Sequence, residues 1–228
     1  MIINTDAIVL KTFSYGETSL ISRCFTKDKG KISFIIKGAK SKKNLTSAYF
    51  QPLSFINIIY KENEKRELQI VSKVSFIQIW TQIPLSLRKM SLSQSILEIS
   101  DFTLETNDPY PNLFNILIKT FQIFESGDIN ENILFWYYEC KILSEMGFMI
   151  NIEDKFDSEI INLKTNDKII KTIQKLINGN ISDINFDTIS LDNKKKISQF
   201  LYQKLCFYFE GFERIKSFRV IKDIFYSK

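Results

Sequence analysis

The chain has 228 residues, of which 44% are apolar, so it is long enough to bury a substantial core. Its 31 lysines and arginines against 26 aspartates and glutamates give a net charge of +5, too small to identify a polyanionic partner. It contains no histidine, which removes the commonest general base near neutral pH and the commonest metal ligand.

The three cysteines, Cys24, Cys140 and Cys206, lie far apart and form no CxxC pair. They therefore predict neither a disulfide framework nor a zinc site. No apolar run approaches the ~20 residues of a membrane span, and Met1 is not followed by a basic region and an apolar core. We expect a cytoplasmic protein with reduced thiols and no membrane partner.

The first 80 residues have the pattern of five strands separated by turns. Apolar or alternating runs cover residues 7–13, 18–26, 30–37, 49–60 and 67–80. Residues 14–17, 28–30 and 61–65 are rich in the residues that form turns. Five short strands with turns between them predict a closed or nearly closed antiparallel sheet, for which an oligonucleotide-binding (OB) barrel is the obvious candidate.

The third run feeds a cationic loop. Alternation predicts Ile32, Phe34 and Ile36 on its buried face, and Lys31, Ser33, Ile35 and Lys37 on the other. The loop that follows carries Lys40, Lys42 and Lys43. A lysine run alone usually marks a solvated hairpin tip. However, residues 1–80 hold 13 basic and six acidic side chains, so the positive charge belongs to this part of the chain.

After Trp80 the apolar period changes from two to nearly four, which predicts a domain boundary and a helical second domain. The predicted helices cover residues 84–104, 113–124, 128–147, 166–176, 193–210 and 213–225, with Asp128 and Asp192 as N-terminal caps. The fold class is therefore α+β with two domains, a five-stranded OB barrel over 1–80 and helices over 81–228.

Several motifs, in order along the chain, resemble the RecO family of bacterial recombination mediators. They are Thr5-Asp6-Ala7-Ile8-Val9-Leu10, Tyr15-Gly16-Glu17-Thr18, Phe25-Thr26, Gly30-Lys31, Lys37-Gly38-Ala39-Lys40, Gln51-Pro52-Leu53, Phe209-Glu210-Gly211-Phe212 and Lys216-Ser217-Phe218-Arg219-Val220. The resemblance implies an OB fold that binds single- and double-stranded DNA, followed by a helical domain. It also implies a non-enzymatic role without cofactor, in a cytoplasmic protein that associates with the nucleoid during repair.

Proteins of this family anneal complementary strands coated by single-strand-binding protein (SSB) and bind the acidic C-terminal tail of SSB. With RecR they help to load RecA, an indirect partner, in recombinational gap repair. This chain departs from the family in one respect. Many members carry a four-cysteine zinc module in this region, whereas residues 150–165 of this chain contain neither Cys nor His. We therefore predict a degenerate, metal-free counterpart of that module.

The barrel residues predicted to bind nucleic acid share positive charge or an aromatic ring in a turn. Phosphate contacts are assigned to Lys11, Arg23, Lys31, Lys37, Lys40, Lys42 and Lys43, and base stacking to Tyr15. Phe34 is assigned to the core. In the helical domain, Lys204 and Arg219 are the candidates for binding the SSB tail.

Two other classes of function stay open. The chain could be an OB-fold protein-interaction adaptor without annealing activity, since OB folds serve many functions. A nuclease is the third hypothesis, with carboxylates as metal ligands. The acidic groups available for it are Glu62, Glu64 and Glu67, Asp154 and Asp157, and Asp183 and Asp187, and none has a convincing paired spacing.

Overall fold

The computed structural model describes residues 1–41, 45–148, 150 and 167–217. Its strands are β1 (Ile2–Tyr15), β2 (Ser19–Thr26), β3 (Gly30–Ile36), β4 (Phe55–Lys61) and β5 (Leu68–Gln78). Its α-helices are α1 (Leu87–Thr103), α2 (Pro111–Ser126), α3 (Glu131–Glu145), α4 (Asp167–Asn178) and α5 (Leu191–Tyr208). The described residues form two compact units, one of residues 1–115 with Ser217 and one of residues 116–216.

The five strands close into a barrel in the order β1-β2-β3-β5-β4. All neighbouring pairs are antiparallel except β3 and β5, which run parallel and pair only from Ser33–Leu68 to Ile35–Ile70. The short parallel seam is what closes the sheet on itself. The prediction of an α+β protein with a five-stranded barrel followed by helices is confirmed.

Alternation along β3 produces the predicted core. Ile32, Phe34 and Ile36 are buried inside the barrel, where the Phe34 ring meets the Tyr60 ring edge-on at 5.2 Å between centroids. Edge-to-face ring pairs add to the stabilisation from apolar burial. The assignment of Phe34 to the core is confirmed.

The fourth predicted run is wrong in its first half. A 3₁₀ turn occupies Leu45–Phe50, and β4 begins only at Phe55. Leu53 N still donates to Val9 O and Ser54 O accepts from Val9 N, but two features keep the intervening residues from forming a regular strand. Pro52 has no N–H to donate to a ladder, and Leu53 has a φ of 80°, which is the left-handed region.

Helix α1 and the residues after it cover part of the barrel's outer side. Helix α1 packs against β1, and the Phe114 ring contacts those of Phe25 and Phe55 at 5.4 and 6.2 Å between centroids. The compact unit that contains the barrel therefore extends to Asn115. The domain boundary at residue 80 stays a prediction.

In the second unit, α3 packs against both α4 and α5. Trp136 of α3 is fully buried, and its Nε1–H donates to Ser198 Oγ at 2.9 Å. Both predicted helix caps are wrong. Asn130 Oδ1 accepts from Asn132 N at the start of α3, and Ser190 Oγ accepts from Asn193 N at the start of α5.

Two further predictions fall mostly on residues that the structure does not describe. Of the predicted metal-free module over 150–165, only residue 150 is among the described residues. Of the predicted segment 213–225, the structure describes residues up to Ser217, including a 3₁₀ turn at Phe212–Arg214.

In the described parts of the chain, no cluster of three or more His, Cys, Asp or Glu side chains could hold a metal ion. No described helix is long and apolar enough to cross a bilayer.

Glu139 on α3 is a buried carboxyl, and its Oε2 has no hydrogen-bond partner among the described residues. Burial raises its pKa well above the usual range, so the folded protein holds a proton that the unfolded chain releases. Stability should therefore fall as pH rises above about 4.3, the pKa of an ordinary glutamate. We expect Glu139→Gln to stabilise the protein by about 2 kcal/mol at pH 8.

The measurement is urea unfolding of wild type and variant at pH 5 and pH 8. The gain from Glu139→Gln should shrink towards pH 5, because near the ordinary glutamate pKa the unfolded chain also begins to hold the proton that the folded protein keeps. Glu210→Gln, which removes the same charge from an exposed side chain of the same unit, is the matched control. An equal response of the two variants at both pH values would contradict the prediction.

Candidate nucleic-acid interface

The outer face of the barrel carries three rows of side chains across β1, β2, β3 and the start of β5. Residues paired directly across neighbouring strands lie on the same face, so the register defines the rows. The first row is Lys11, Arg23, Ser33 and Leu68; the second is Phe13, Ile21, Ile35 and Ile70; the third is Tyr15 and Ser19. We call this surface the outer face.

Two aromatic rings are exposed on the outer face. Phe13 and Tyr15 are neighbours on one side of β1, and their side chains are 41% and 51% exposed. Lys11 precedes them on the same side of the strand and is also exposed. An exposed ring can stack against a nucleobase, and a neighbouring ammonium group can contact a phosphate. This side of β1 therefore carries both the rings and the cation that a surface for single-stranded nucleic acid requires.

The residues after β3 bring two more lysines to the outer face. Lys37 and Lys40 are both exposed. Lys40 N donates to Thr18 O and Lys40 Nζ to Gly16 O, each at 3.0 Å, which holds this loop against the β1–β2 turn. These bonds place Lys40 beside the turn that follows Tyr15. An ammonium group has three donors, so Lys40 keeps two for an incoming phosphate.

Arg23 and Lys31, predicted as phosphate contacts, have partners within the protein. Arg23 Nη2 lies 2.7 Å from Asp101 Oδ2 on α1, and Lys31 Nζ donates to the Asp101 main-chain oxygen at 2.7 Å. The Arg23 guanidinium also lies 6.0 Å from the centre of the Phe13 ring. Both cations point outward as alternation predicts, but the end of α1 covers the barrel there. They attach α1 to the barrel.

These contacts are largely withdrawn from water. Burial raises the pKa of the Asp101 carboxyl, and the charges of Arg23, Lys31 and Lys11 lower it only in part. Burial also lowers the pKa of the Lys31 ammonium, which the nearby Asp101 charge partly offsets. The Asp101 carboxylate offsets part of the positive charge of the first row, so Lys11 is the exposed cation in that row.

The other predicted site residues divide into two groups. Lys42, Lys43 and Arg219 lie outside the described residues. Lys204, predicted to bind a partner, is only 2% exposed, and its Nζ lies 5.9 and 5.5 Å from the ring centres of Phe200 and Tyr208. The structure places its ammonium beside two rings of its own helix and leaves it almost no exposed surface, and the assignment of Lys204 to partner binding stays a prediction.

Sequence reasoning missed Phe13 and Ile70 as parts of this surface, and it placed Ile35 on the outward face of β3 without giving it a role. The period-two order of Lys11, Phe13 and Tyr15 could have indicated that Phe13 shares their face. The neutralising role of Asp101 had no local signal, since Asp101 is 78 positions from Arg23 in the chain.

Two family models match the chain. "Recombination protein O N terminal" matches residues 1–80, and "Recombination protein O C terminal" matches residues 84–165. Together they cover most of the chain, in the order that the family has them. The motifs at residues 209–220 lie beyond the second match.

Several relatives named DNA repair protein RecO are similar to this chain. The Salinibacter ruber protein is 28% identical over 146 residues, which is 64% of this chain and 56% of that protein. The Chlorobium phaeobacteroides protein is 29% identical over 153 residues, 67% of this chain and 59% of that one. In these two matches the chain spans little more than half of its relative's length.

The Flavobacterium psychrophilum relative, also named DNA repair protein RecO, is matched from end to end. It is 25% identical over 237 residues, covering 99% of this chain and all of that protein. The two family models and this full-length match agree on one assignment. The chain belongs to the Recombination protein O (RecO) family.

Proposed function

We propose that this protein is a non-enzymatic, cytoplasmic DNA-binding mediator of recombinational repair. It binds single- and double-stranded DNA, anneals single strands, binds the C-terminal tail of SSB and, with RecR, promotes RecA loading. The observation that carries the proposal is the outer face, where the exposed rings of Phe13 and Tyr15 lie among exposed lysines on a closed five-stranded barrel. The names of the relatives support the repair role.

Annealing follows from contacts that are weak and independent of sequence. Lysines that neutralise phosphates reduce the repulsion between two strands, because this term depends on charge and not on base identity. The rings hold a strand by stacking on base faces, which leaves base edges free to pair. A surface of this kind brings complementary strands together without reading them.

One observation favours an adaptor as the second candidate. From the end of β5 to the start of α1 the large apolar side chains of Ile77, Ile79, Leu85 and Leu87 are all exposed, the last two to 79%. Adjacent exposed apolar side chains of this size often mark a protein-binding surface. In the adaptor hypothesis this segment binds a protein partner, and the outer face has no annealing role.

The test is annealing of two complementary oligonucleotides, naked or coated with SSB, with fluorescence quenching as the readout. We expect the protein to accelerate annealing in both cases. The control is SSB that lacks its C-terminal tail, and annealing on this coated DNA should be slower than on DNA coated with intact SSB. Tight SSB binding without any acceleration would favour the adaptor, and a failure to bind DNA would overturn the proposed function.

A further inference from the structure

The barrel has a pocket where its parallel seam ends. The ladder between β3 and β5 stops at the pair Ile35–Ile70, and beyond it the strands separate around a cavity of about 380 Å³. The 3₁₀ turn Leu45–Phe50 contributes Tyr49 to the wall. We call this cavity the seam pocket. It adjoins the outer face, because Ile35 and Ile70 belong to both.

The lining of the seam pocket combines an aromatic ring with two cations at its rim. Tyr49 lines the wall, and its ring packs against Phe76 at 4.5 Å between centroids with 31° between the planes. Lys37 and Lys73 are exposed at the rim, and Ser72 is exposed beside them. The pocket therefore offers an apolar and aromatic wall together with positive charge at its entrance.

We propose that the seam pocket binds one unpaired nucleobase of a single strand that lies on the outer face. The proposal rests on the proposed nucleic-acid interface and assigns it a specific base site. The ring and the aliphatic side chains suit the flat face of a base, and the two lysines suit its flanking phosphates. A base within a duplex would first have to leave its stack and its partner, so the pocket favours single strands.

The proposal predicts that affinity depends on the base and not only on the backbone. The test uses a short oligodeoxythymidylate and an oligomer with the same number of phosphates but no bases, both measured by fluorescence anisotropy at one salt concentration. The variant Ser72→Phe places a bulky ring at the entrance of the pocket, where it obstructs entry of a base. We expect this change to weaken binding of the thymidylate about tenfold and to leave binding of the abasic oligomer within about twofold.

Ser75→Phe is the matched control, because Ser75 is an exposed serine of the same strand that does not line the pocket. It should bind both oligomers as the wild type does. If Ser72→Phe and Ser75→Phe bind thymidylate equally well, the seam pocket is overturned while the interface stands. If the wild type binds neither oligomer, the proposed DNA-binding function is itself contradicted, independently of the pocket.

A second measurement needs no variant, so it remains decisive even if Ser72→Phe does not fold. A single strand containing 5-iododeoxyuridine is photocrosslinked to the wild-type protein, and the modified peptides are identified by mass spectrometry. We expect a crosslink at Tyr49. Crosslinks confined to the peptides of Phe13 and Tyr15 would overturn the seam pocket and retain the outer face.

Discussion

Replacing Lys11, Lys37 and Lys40 together with alanine is expected to weaken binding of single-stranded DNA about a hundredfold at about 0.1 M salt. Each lysine that neutralises a phosphate releases bound counterions from the strand. For single strands this contributes about 0.7 to the slope of log K against log salt, so three lysines contribute about 2. The measurement is affinity by anisotropy across a range of salt concentrations.

The salt slope distinguishes direct contact from a general effect of charge. A second triple variant, Lys61→Ala, Lys168→Ala and Lys171→Ala, removes three exposed lysines that lie outside the outer face. It lowers the net charge equally and should leave the slope within about 0.5 of the wild-type value. Equal changes of slope in the two triple variants would show that the outer face is not the main phosphate contact.

Gly30→Ala should cost about 3 kcal/mol or more of folding free energy. Gly30 begins β3 with a φ of +69°, a region that L side chains rarely adopt. A Cβ at this position would also overlap the main-chain atoms of Asp108. Because Asn107 N donates to Lys31 O in the same place, the overlap cannot be relieved without losing a backbone hydrogen bond. Urea unfolding measures the loss.

Gly16→Ala is the internal standard for this experiment. Gly16 has a similar φ of +58°, but a Cβ there would meet no atom within 4 Å. Its cost should be about 1 kcal/mol, which is the conformational penalty alone. The difference between the two variants then measures the close approach of the β3 start to Asp108. Equal costs would indicate that the segment around Asp108 moves away freely.

The barrel could be predicted because its determinants are local. Alternation identifies the inward side chains of β3, and the turn residues separate the strands, without reference to distant parts of the chain. The cap assignments failed for a local reason as well. Asp128 and Asn130 are both good caps, as are Ser190 and Asp192, and an ambiguity of two positions cannot be settled by residue type.

The site was only partly predictable, since alternation gives the direction of a side chain and not its exposure. Lys31 points away from the barrel core, yet the end of α1 buries part of it and provides an acceptor. Lys204 lies off the main apolar stripe of α5, yet it is buried. In both cases tertiary packing covers a face that the helix or strand period marks as outward. The seam pocket depends on where a parallel ladder stops, which no short motif encodes.

The attachment of α1 to the barrel matters for anyone who dissects this protein into fragments. A piece that ends at residue 80 would lack Asp101, which pairs with Arg23, and Phe114, which covers Phe25. In such a fragment Arg23 would lose its ion pair and the Phe25 ring would be exposed to solvent. Both groups could then bind polyanions or apolar surfaces nonspecifically. The fragment would bind polyanions and apolar surfaces less specifically and would be less stable than the intact chain. A difference in affinity between the two would therefore reflect the loss of the contacts with Asp101 and Phe114 as well as any contribution of the helical unit.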